Sequence, residues 1–225
     1  MNGNSRRKKI FQSDMASYAM ILAAYLAAEL FLRSGAAGSL FKGLLVPLCI
    51  YSIMALSLNL VVGISGELSL GHAGFMCIGA FSSASFSMLM KGQGLPNGLC
   101  LFLAIVIGAL SAAVFGFLIG IPVLRLKGDY LAIVTLAFGE IIKNLINALY
   151  FGVDERGAHF SLKDGAALKL AGGGRIIIKG AQGITGTPKL SNFTVGIILL
   201  LLSLFLVLRL MNSRTGRAIA AVRDN

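Results

Sequence analysis

The residues most able to do chemistry lie within residues 56–81, LSLNLVVGISGELSLGHAGFMCIGAF, a stretch that begins and ends as apolar sequence. Its middle carries glycines with polar side chains between them. These are Gly63, Ser65, Gly66, Ser69, Gly71, His72 and Gly74. In lipid, irregular backbone is tolerated only where other protein covers it or where it lines a watery cavity. We therefore expect a break between two membrane helices here, at mid-membrane or at the cytoplasmic surface, with these residues breaking the helix or lining a path.

The same stretch also contains a nucleophile and a base. Residues 63–66 read GISG, which matches the GxSG pattern of intramembrane serine proteases, with Ser65 as nucleophile and His72 as base. Both side chains come from one connector, however, and short Gly/Ser patterns recur by chance. Half-helix ends that point into a cavity and favour an anionic group such as a carboxylate explain the glycines better. A serine hydrolase using Ser65 is the alternative, and a structural or channel-like subunit is a third.

A second polar group occupies the later half of residues 130–149. Glu140, Lys143, Asn144 and Asn147 recur at helical spacing and share one face. Ionisable groups inside a membrane are by default candidates for function, and Glu140 and Lys143 are each other's natural partners. An interfacial helix end whose polar side chains meet headgroups explains the stripe equally well. Glu140 and Asn144 are the second set of path candidates.

Motifs for metal, redox or nucleotide chemistry are missing from the sequence. Cys49, Cys77 and Cys100 show no CxxC spacing, and His72 and His159 are far apart. There is no GxxxxGK[ST] loop, so the chain itself should not hydrolyse ATP. We expect no metal, no cofactor and no catalytic residue.

The composition is that of an integral membrane protein. It is 56% hydrophobic and 13% charged, with a mean hydropathy of +0.84. The net charge of +11 suggests flanking charges that set membrane orientation. Since no basic stripe is interleaved with aromatic residues, nucleic acid is not an expected partner.

The apolar runs predict an all-α, polytopic membrane helix bundle with about six spans. They are residues 15–32, 44–62, 71–90, 99–124, 130–149 and 193–211. Residues 1–14 form a cytoplasmic tail, 15–211 a transmembrane domain, and 212–225 a cytoplasmic segment. Residues 151–192 form a long extracytoplasmic loop, with room for a small structural element.

Basic residues predict that the N-terminus is cytoplasmic. With that orientation, the cytoplasmic side holds the basic residues of the tail, the connector before the fifth span and the C-terminal segment. They are Arg6, Arg7, Lys8, Lys9, Arg125, Lys127, Arg209, Arg214, Arg217 and Arg223. The short outside connectors hold only Arg33, Lys42 and Lys91.

One predicted span has a face of small residues. Ala104, Gly108, Ala112, Gly116 and Gly120 recur every four residues. Small residues at this spacing let two helix backbones approach closely within a membrane. We expect this helix to pack in the interior of the bundle through Gly108, Ala112, Gly116 and Gly120.

Four blocks of the sequence resemble a known family. They are the stretch SLNLVVGISGELSLGHAGFMCIGAF, then GDYLAIVTLAFGEIIKN at residues 128–144, GAQGITGTP at 180–188, and SRTGRAIAAVRDN at 213–225. In this order and spacing they are similar to the M-type (LivM-like) permease subunits of branched-chain amino-acid ABC transporters. The resemblance covers nearly everything after about residue 44.

The resemblance implies a permease subunit of a bacterial importer in the inner membrane. Its expected partners are an H-type permease subunit, two cytoplasmic ABC ATPase subunits, an extracytoplasmic solute-binding protein and the lipid bilayer. Leucine, isoleucine and valine are the default substrates, and other amino acids, amides or urea remain open. Family members continue past the position of Asn225 into a coupling loop and further helices, so we expect a C-terminally incomplete permease.

Cysteine labelling tests the predicted orientation. A membrane-impermeant maleimide should label Lys169→Cys from outside the cell and Arg125→Cys only from the cytoplasm, because they flank the fifth span on opposite sides. Labelling of Glu67→Cys reports the side on which the break lies. Reaction of Lys169→Cys from the cytoplasm would refute the orientation.

Overall fold

The computed structural model describes residues 3–35, 37–91, 94–123, 125–126, 128–154, 156–170 and 174–223. Its helices are α1 (Gly3–Arg33), α2 (Ser39–Leu58), α3 (His72–Leu89), α4 (Asn97–Val123), α5 (Asp129–Ala148), α6 (Phe193–Met211) and α7 (Arg214–Arg223). A π-helical segment (Asn59–Ser65) continues α2. Three strands, β1 (Tyr150–Asp154), β2 (Gly157–Ser161) and β3 (Arg175–Lys179), lie between α5 and α6.

Within the described ranges, five helical segments are long and apolar enough to cross a membrane. They are Met15–Arg33, Ser39–Ile64, Asn97–Val123, Asp129–Ala148 and Phe193–Met211. This confirms the predicted polytopic helical membrane fold. The remaining predicted span, residues 71–90, coincides with α3, an 18-residue helix that is not among these five. Length and apolarity therefore support five spans where about six were predicted.

The chain divides into two compact units, residues 1–66 with 191–225, and residues 67–190. In the first unit, α2 packs against α6 around a core of Cys49, Ile197 and Leu200. A Cβ added at Gly196 would lie 3.1 Å from the Cβ of Cys49. The absence of a side chain at Gly196 therefore lets the two helices approach closely.

A sharp turn joins α6 to α7. The Ser213 hydroxyl accepts a hydrogen bond from the Gly216 N–H at 3.2 Å, which is the geometry of a serine N-cap. A Cβ at Gly216 would collide with the Leu210 carbonyl oxygen. α7 packs against both α6 and the π-helical segment.

In the second unit, α3 lies between α4 and α5 as their common packing partner. A Cβ added at Gly108 would lie 2.8 Å from the Gly79 carbonyl oxygen and 3.1 Å from the Ser83 Cβ. Ala112 is also within contact distance of a Cβ at Gly79, at 3.8 Å. The small-residue face of α4 thus meets α3 through Gly108 and Ala112.

The rest of that face is less constrained. Gly116 faces the ring of Phe75, which would lie 3.8 Å from an added Cβ, and a Cβ at Gly120 would have no atom within 4 Å. Close backbone approach is therefore concentrated near Gly108.

A small antiparallel sheet occupies the long connector between α5 and α6. Its strand order is β2-β1-β3, and Phe151 is paired with Phe160 on one side and with Ile178 on the other. β1 begins at Tyr150, directly after α5. The connector thus contains a folded element in an otherwise helical protein.

Apolar packing and a backbone hydrogen bond hold the sheet against the helices. Phe151, Ile177 and Ile178 form a buried cluster with Met88 at the end of α3. The Gly180 N–H donates to the Leu149 carbonyl at 3.0 Å. Gly180 has a φ of +56°, and a Cβ there would lie 2.9 Å from the Asn147 carbonyl oxygen, so the position requires glycine.

The contact at Gly108 gives a stability prediction. Gly108→Ala should destabilise the protein by about 1–3 kcal/mol, because the methyl group enters filled space between α4 and α3. Gly120→Ala on the same helix is the matched control. It should be neutral or stabilising by up to about 1 kcal/mol, since alanine favours helix and no atom lies in its way. The check is the fraction of folded protein after heating in detergent, followed by size-exclusion chromatography. Equal loss in both variants would contradict the packing argument.

Candidate functional site

The helix that contains the glycine-rich stretch ends in a π-helical turn. The segment Asn59–Ser65 is followed by Gly66 in the left-handed conformation, with φ 74° and ψ 8°. No regular structure follows until α3 begins at His72. π-Helical turns are rare and are found frequently at functional sites. The break between helices predicted for this stretch thus lies at residues 66–71.

Two of the predicted site residues lie within the π-helical segment itself. The Asn59 side chain lies over Gly63, where a Cβ would collide with its amide oxygen. Ser65 is the last residue of the segment, and its side chain lies outside the described part of the chain. Glycine at position 63 therefore leaves room for the polar Asn59 side chain against the helix.

On the other side of the break, the chain is anchored on α5. The Leu70 N–H donates a hydrogen bond to the Thr135 hydroxyl at 3.1 Å, and this hydroxyl donates to the Ala132 carbonyl at 3.0 Å. Thr135 is only 7% exposed. An unpaired backbone N–H in hydrocarbon would cost several kcal/mol, so Thr135 stabilises the irregular backbone.

Two of the predicted glycines are required by the same contact. A Cβ at Gly71 would lie 2.7 Å from the Thr135 carbonyl oxygen, and one at Gly74 would lie 3.1 Å from the Gly139 Cα. Both glycines are buried. The start of α3 can therefore lie directly against the α5 backbone only because side chains are absent there.

A cavity of about 230 Å³ opens beside this contact. It is lined by residues of α3 and the preceding segment and by residues of α5 that follow Thr135. These are Leu70, Ala73, Gly74, Cys77, Leu136, Gly139, Glu140 and Lys143. The structure thus brings Gly74 from the break together with Glu140 from the polar stripe.

Glu140 and Lys143 form the charged wall of this cavity. The Lys143 Nζ lies 3.3 Å from Glu140 Oε2, and the two side chains are 62% and 56% exposed. A pair this exposed contributes little to stability, about 0–1 kcal/mol. Both charges are consequently available to a ligand or to another protein chain.

The other candidates lie apart from the cavity lining. Ser69 and His72 are half-buried, and Asn144 is exposed on α5 one residue beyond Lys143. In the described part of the chain, no group of three or more His, Cys, Asp or Glu side chains could hold a metal. His159 instead lies in the sheet region, 3.0 Å from the Asp154 carboxylate.

The sequence analysis missed Thr135 and Lys143 as site residues. Lys143 was visible as the partner of Glu140. Thr135 gave only a weak signal, a lone hydroxyl in the apolar first half of α5. Its position opposite Leu70 depends on how α5 packs, which the local sequence does not specify.

Comparison with known proteins places this architecture in a family. The family model described as the branched-chain amino acid transport system permease component matches residues 40–225. No solved structure matches the chain.

Two curated relatives are the high-affinity branched-chain amino acid transport system permease proteins LivM of Salmonella typhimurium strain LT2 and Escherichia coli strain K12. The first is 40% identical over 187 residues and the second 39% over 198 residues. Each match covers 78% of this chain but only 42% of the relative, so the chain spans less than half the length of these proteins. The chain belongs to the family of branched-chain amino acid transport system permease components.

Proposed function

We propose that the chain is part of the membrane-spanning permease of a binding-protein-dependent ABC importer and helps to carry leucine, isoleucine and valine across the inner membrane. The chain itself is not an enzyme, and partner subunits hydrolyse the ATP. The observation that carries this proposal is the cavity in which Glu140 and Lys143 face the first turn of α3. Membership of the branched-chain amino acid permease family supports this choice of substrate class.

The cavity has the chemistry that an aliphatic amino acid needs. Leu70, Cys77 and Leu136 offer apolar surface to its side chain. The Lys143 ammonium attracts its carboxylate, and the Glu140 carboxylate attracts its ammonium group. At about 230 Å³ the cavity is smaller than sites for drug-sized ligands, roughly 300–1,000 Å³, and suits a small solute.

The first turn of α3 also favours a carboxylate. The helix dipole places positive charge at the start of a helix, although the Gly74 N–H itself already donates to the Gly71 carbonyl at 3.0 Å. Ala73 and Gly74 belong to this turn and line the cavity. Discontinuous helices use the same arrangement at transporter binding sites.

The surface of the chain supports a role inside a larger membrane assembly. On α4, the side chains of Phe102, Leu110 and Phe117 are 63%, 61% and 71% exposed. Apolar patches of this kind meet lipid or another apolar protein surface. We assign this helix surface to the bilayer and to an H-type permease subunit.

The basic residues support a multi-pass arrangement with the N-terminus in the cytoplasm. With α3 counted as a sixth span, this orientation puts α7, which runs from Arg214 to Arg223, on the cytoplasmic side, where two ATPase subunits would bind. The loop that contains the sheet would then be extracytoplasmic, where a solute-binding protein would deliver the amino acid.

Uptake of radiolabelled leucine tests the role of the charged wall. Glu140→Gln should lower uptake about tenfold, because a hydrogen bond to a charged group contributes about 1.5–3 kcal/mol. Glu29→Gln is the matched control. Glu29 is also paired within its own helix, to Arg33 at 3.4 Å, but does not line the cavity, so uptake should change less than about twofold. The assay uses proteoliposomes that contain the chain and its partner subunits, with and without ATP.

Several results would overturn the proposal. Flux that does not need ATP would contradict an ABC importer. Uptake of urea or amides in place of leucine would change the substrate class. Loss of all activity in Ser65→Ala, together with peptide cleavage by the wild type, would favour an intramembrane hydrolase, whereas normal uptake by Ser65→Ala would eliminate it.

A further inference from the structure

A second cavity lies between the helices and the sheet in the same unit. Its volume is about 300 Å³, and it is lined by α3, α4, α5 and all three strands. Phe115 of α4 and Ile146 of α5 form part of the wall. Phe151 and Phe160, whose ring centroids are 4.7 Å apart, form the sheet side.

Two serines on α3 are the polar groups in this lining. Ser82 and Ser85 lie one turn apart, and every other lining residue is aliphatic or aromatic. The neighbouring hydroxyls of Ser83 and Ser87 donate to carbonyl oxygens of their own helix. In the described part of the chain, no hydrogen bond to the Ser82 or Ser85 hydroxyl is present. The cavity therefore offers two hydroxyl groups that are free to bind.

This apolar cavity lies next to the charged cavity, along the following turns of α3 and α5. The charged cavity is lined by residues 73–77 of α3 and 136–143 of α5, and the apolar cavity by residues 78–85 and 142–149. The apolar cavity is the one that adjoins the sheet. In the proposed orientation, an amino acid delivered from outside would meet the apolar cavity before the charged one.

We propose that this cavity is a selectivity subsite, which receives the branched aliphatic side chain of the amino acid while the Ser82 and Ser85 hydroxyls hold its charged end. This inference rests on the proposed function. A hydroxyl can donate to a carboxylate and accept from an ammonium group, so the two serines serve both charges of a zwitterion. The subsite carries no opposite charge, so binding is weak enough for release, as transport requires.

A lipid acyl chain is the competing occupant, and the lining argues against it. A hydrocarbon chain would offer the two hydroxyls no partner, so they would have to bond to carbonyls of their own helix, as Ser83 and Ser87 do. An amino acid satisfies the hydroxyls and fills the apolar wall at once. Each methylene it buries there is worth about fourfold in affinity.

Uptake selectivity in proteoliposomes that contain the chain and its partner subunits tests the subsite. Ser85→Ala removes a hydroxyl, so it should lower leucine and alanine uptake by similar factors. Ser85→Val also fills part of the cavity, which excludes the larger side chain of leucine more than that of alanine. The ratio of leucine to alanine uptake should therefore be about tenfold lower in Ser85→Val than in Ser85→Ala. Ser111→Val is the matched control. Ser111 lies on α4, is bonded to the Ile107 carbonyl and does not line the cavity, so the ratio should stay within about twofold.

Equal losses of leucine and alanine uptake in Ser85→Val, as expected for a lipid-filled cavity, would overturn the subsite. Maleimide labelling of Ser85→Cys, after subtraction of the labelling of the protein without this change, gives a readout that does not depend on transport. Leucine should slow this labelling and glycine should not. If the wild type takes up no branched-chain amino acid, the proposed function fails. The labelling experiment then tests the cavity alone. If leucine does not slow the labelling of Ser85→Cys, the subsite is overturned.

Discussion

The hydrogen bond from the Leu70 N–H to the Thr135 hydroxyl supports the irregular backbone before α3. A helix satisfies its own backbone within a membrane, whereas a break leaves N–H and C=O groups that other parts of the protein must bond. Thr135 supplies one such bond, and the buried Gly71 and Gly74 let the segment lie close enough to α5 to make it. The charged cavity opens beside this contact, so its shape depends on the same few atoms.

Helix contacts in both units depend on close backbone approach. Gly196 on Cys49, Gly108 on Gly79 and Gly74 on Gly139 bring backbones together in three different pairs of helices. Lipid is as apolar as a leucine side chain, so burial alone gives little drive for helix association in a bilayer. Dispersion contacts between closely packed backbones at these glycines drive helix association instead. This explains why small residues recur where α3 meets its neighbours.

The sequence was sufficient for the features that follow from composition and periodicity. Hydrophobic runs predicted the helices, of which five are long and apolar enough to span a membrane, and the glycines between residues 63 and 74 predicted the helix break. The helical period placed Glu140 and Lys143 on one face, as the structure has them. Periodicity does not describe contacts between distant parts of the chain. It therefore did not predict the π-helical turn, the hydrogen bond between Leu70 and Thr135, or that Lys143 lines the cavity and Asn144 does not. The sheet was not predicted because each of its strands is only five residues long and their pairing joins distant parts of the connector.

The junction of α5 with β1 has a mechanical consequence. β1 starts one residue after Leu149, whose carbonyl is bonded to Gly180 beyond β3, so the sheet and the helix end are joined on two sides. The joint is short, so a displacement of the sheet would tilt α5. A 20-residue helix is about 30 Å long, so a tilt of about 5° displaces its far end by about 3 Å. Because Glu140 lies on α5, such a tilt would move the charged wall of the cavity.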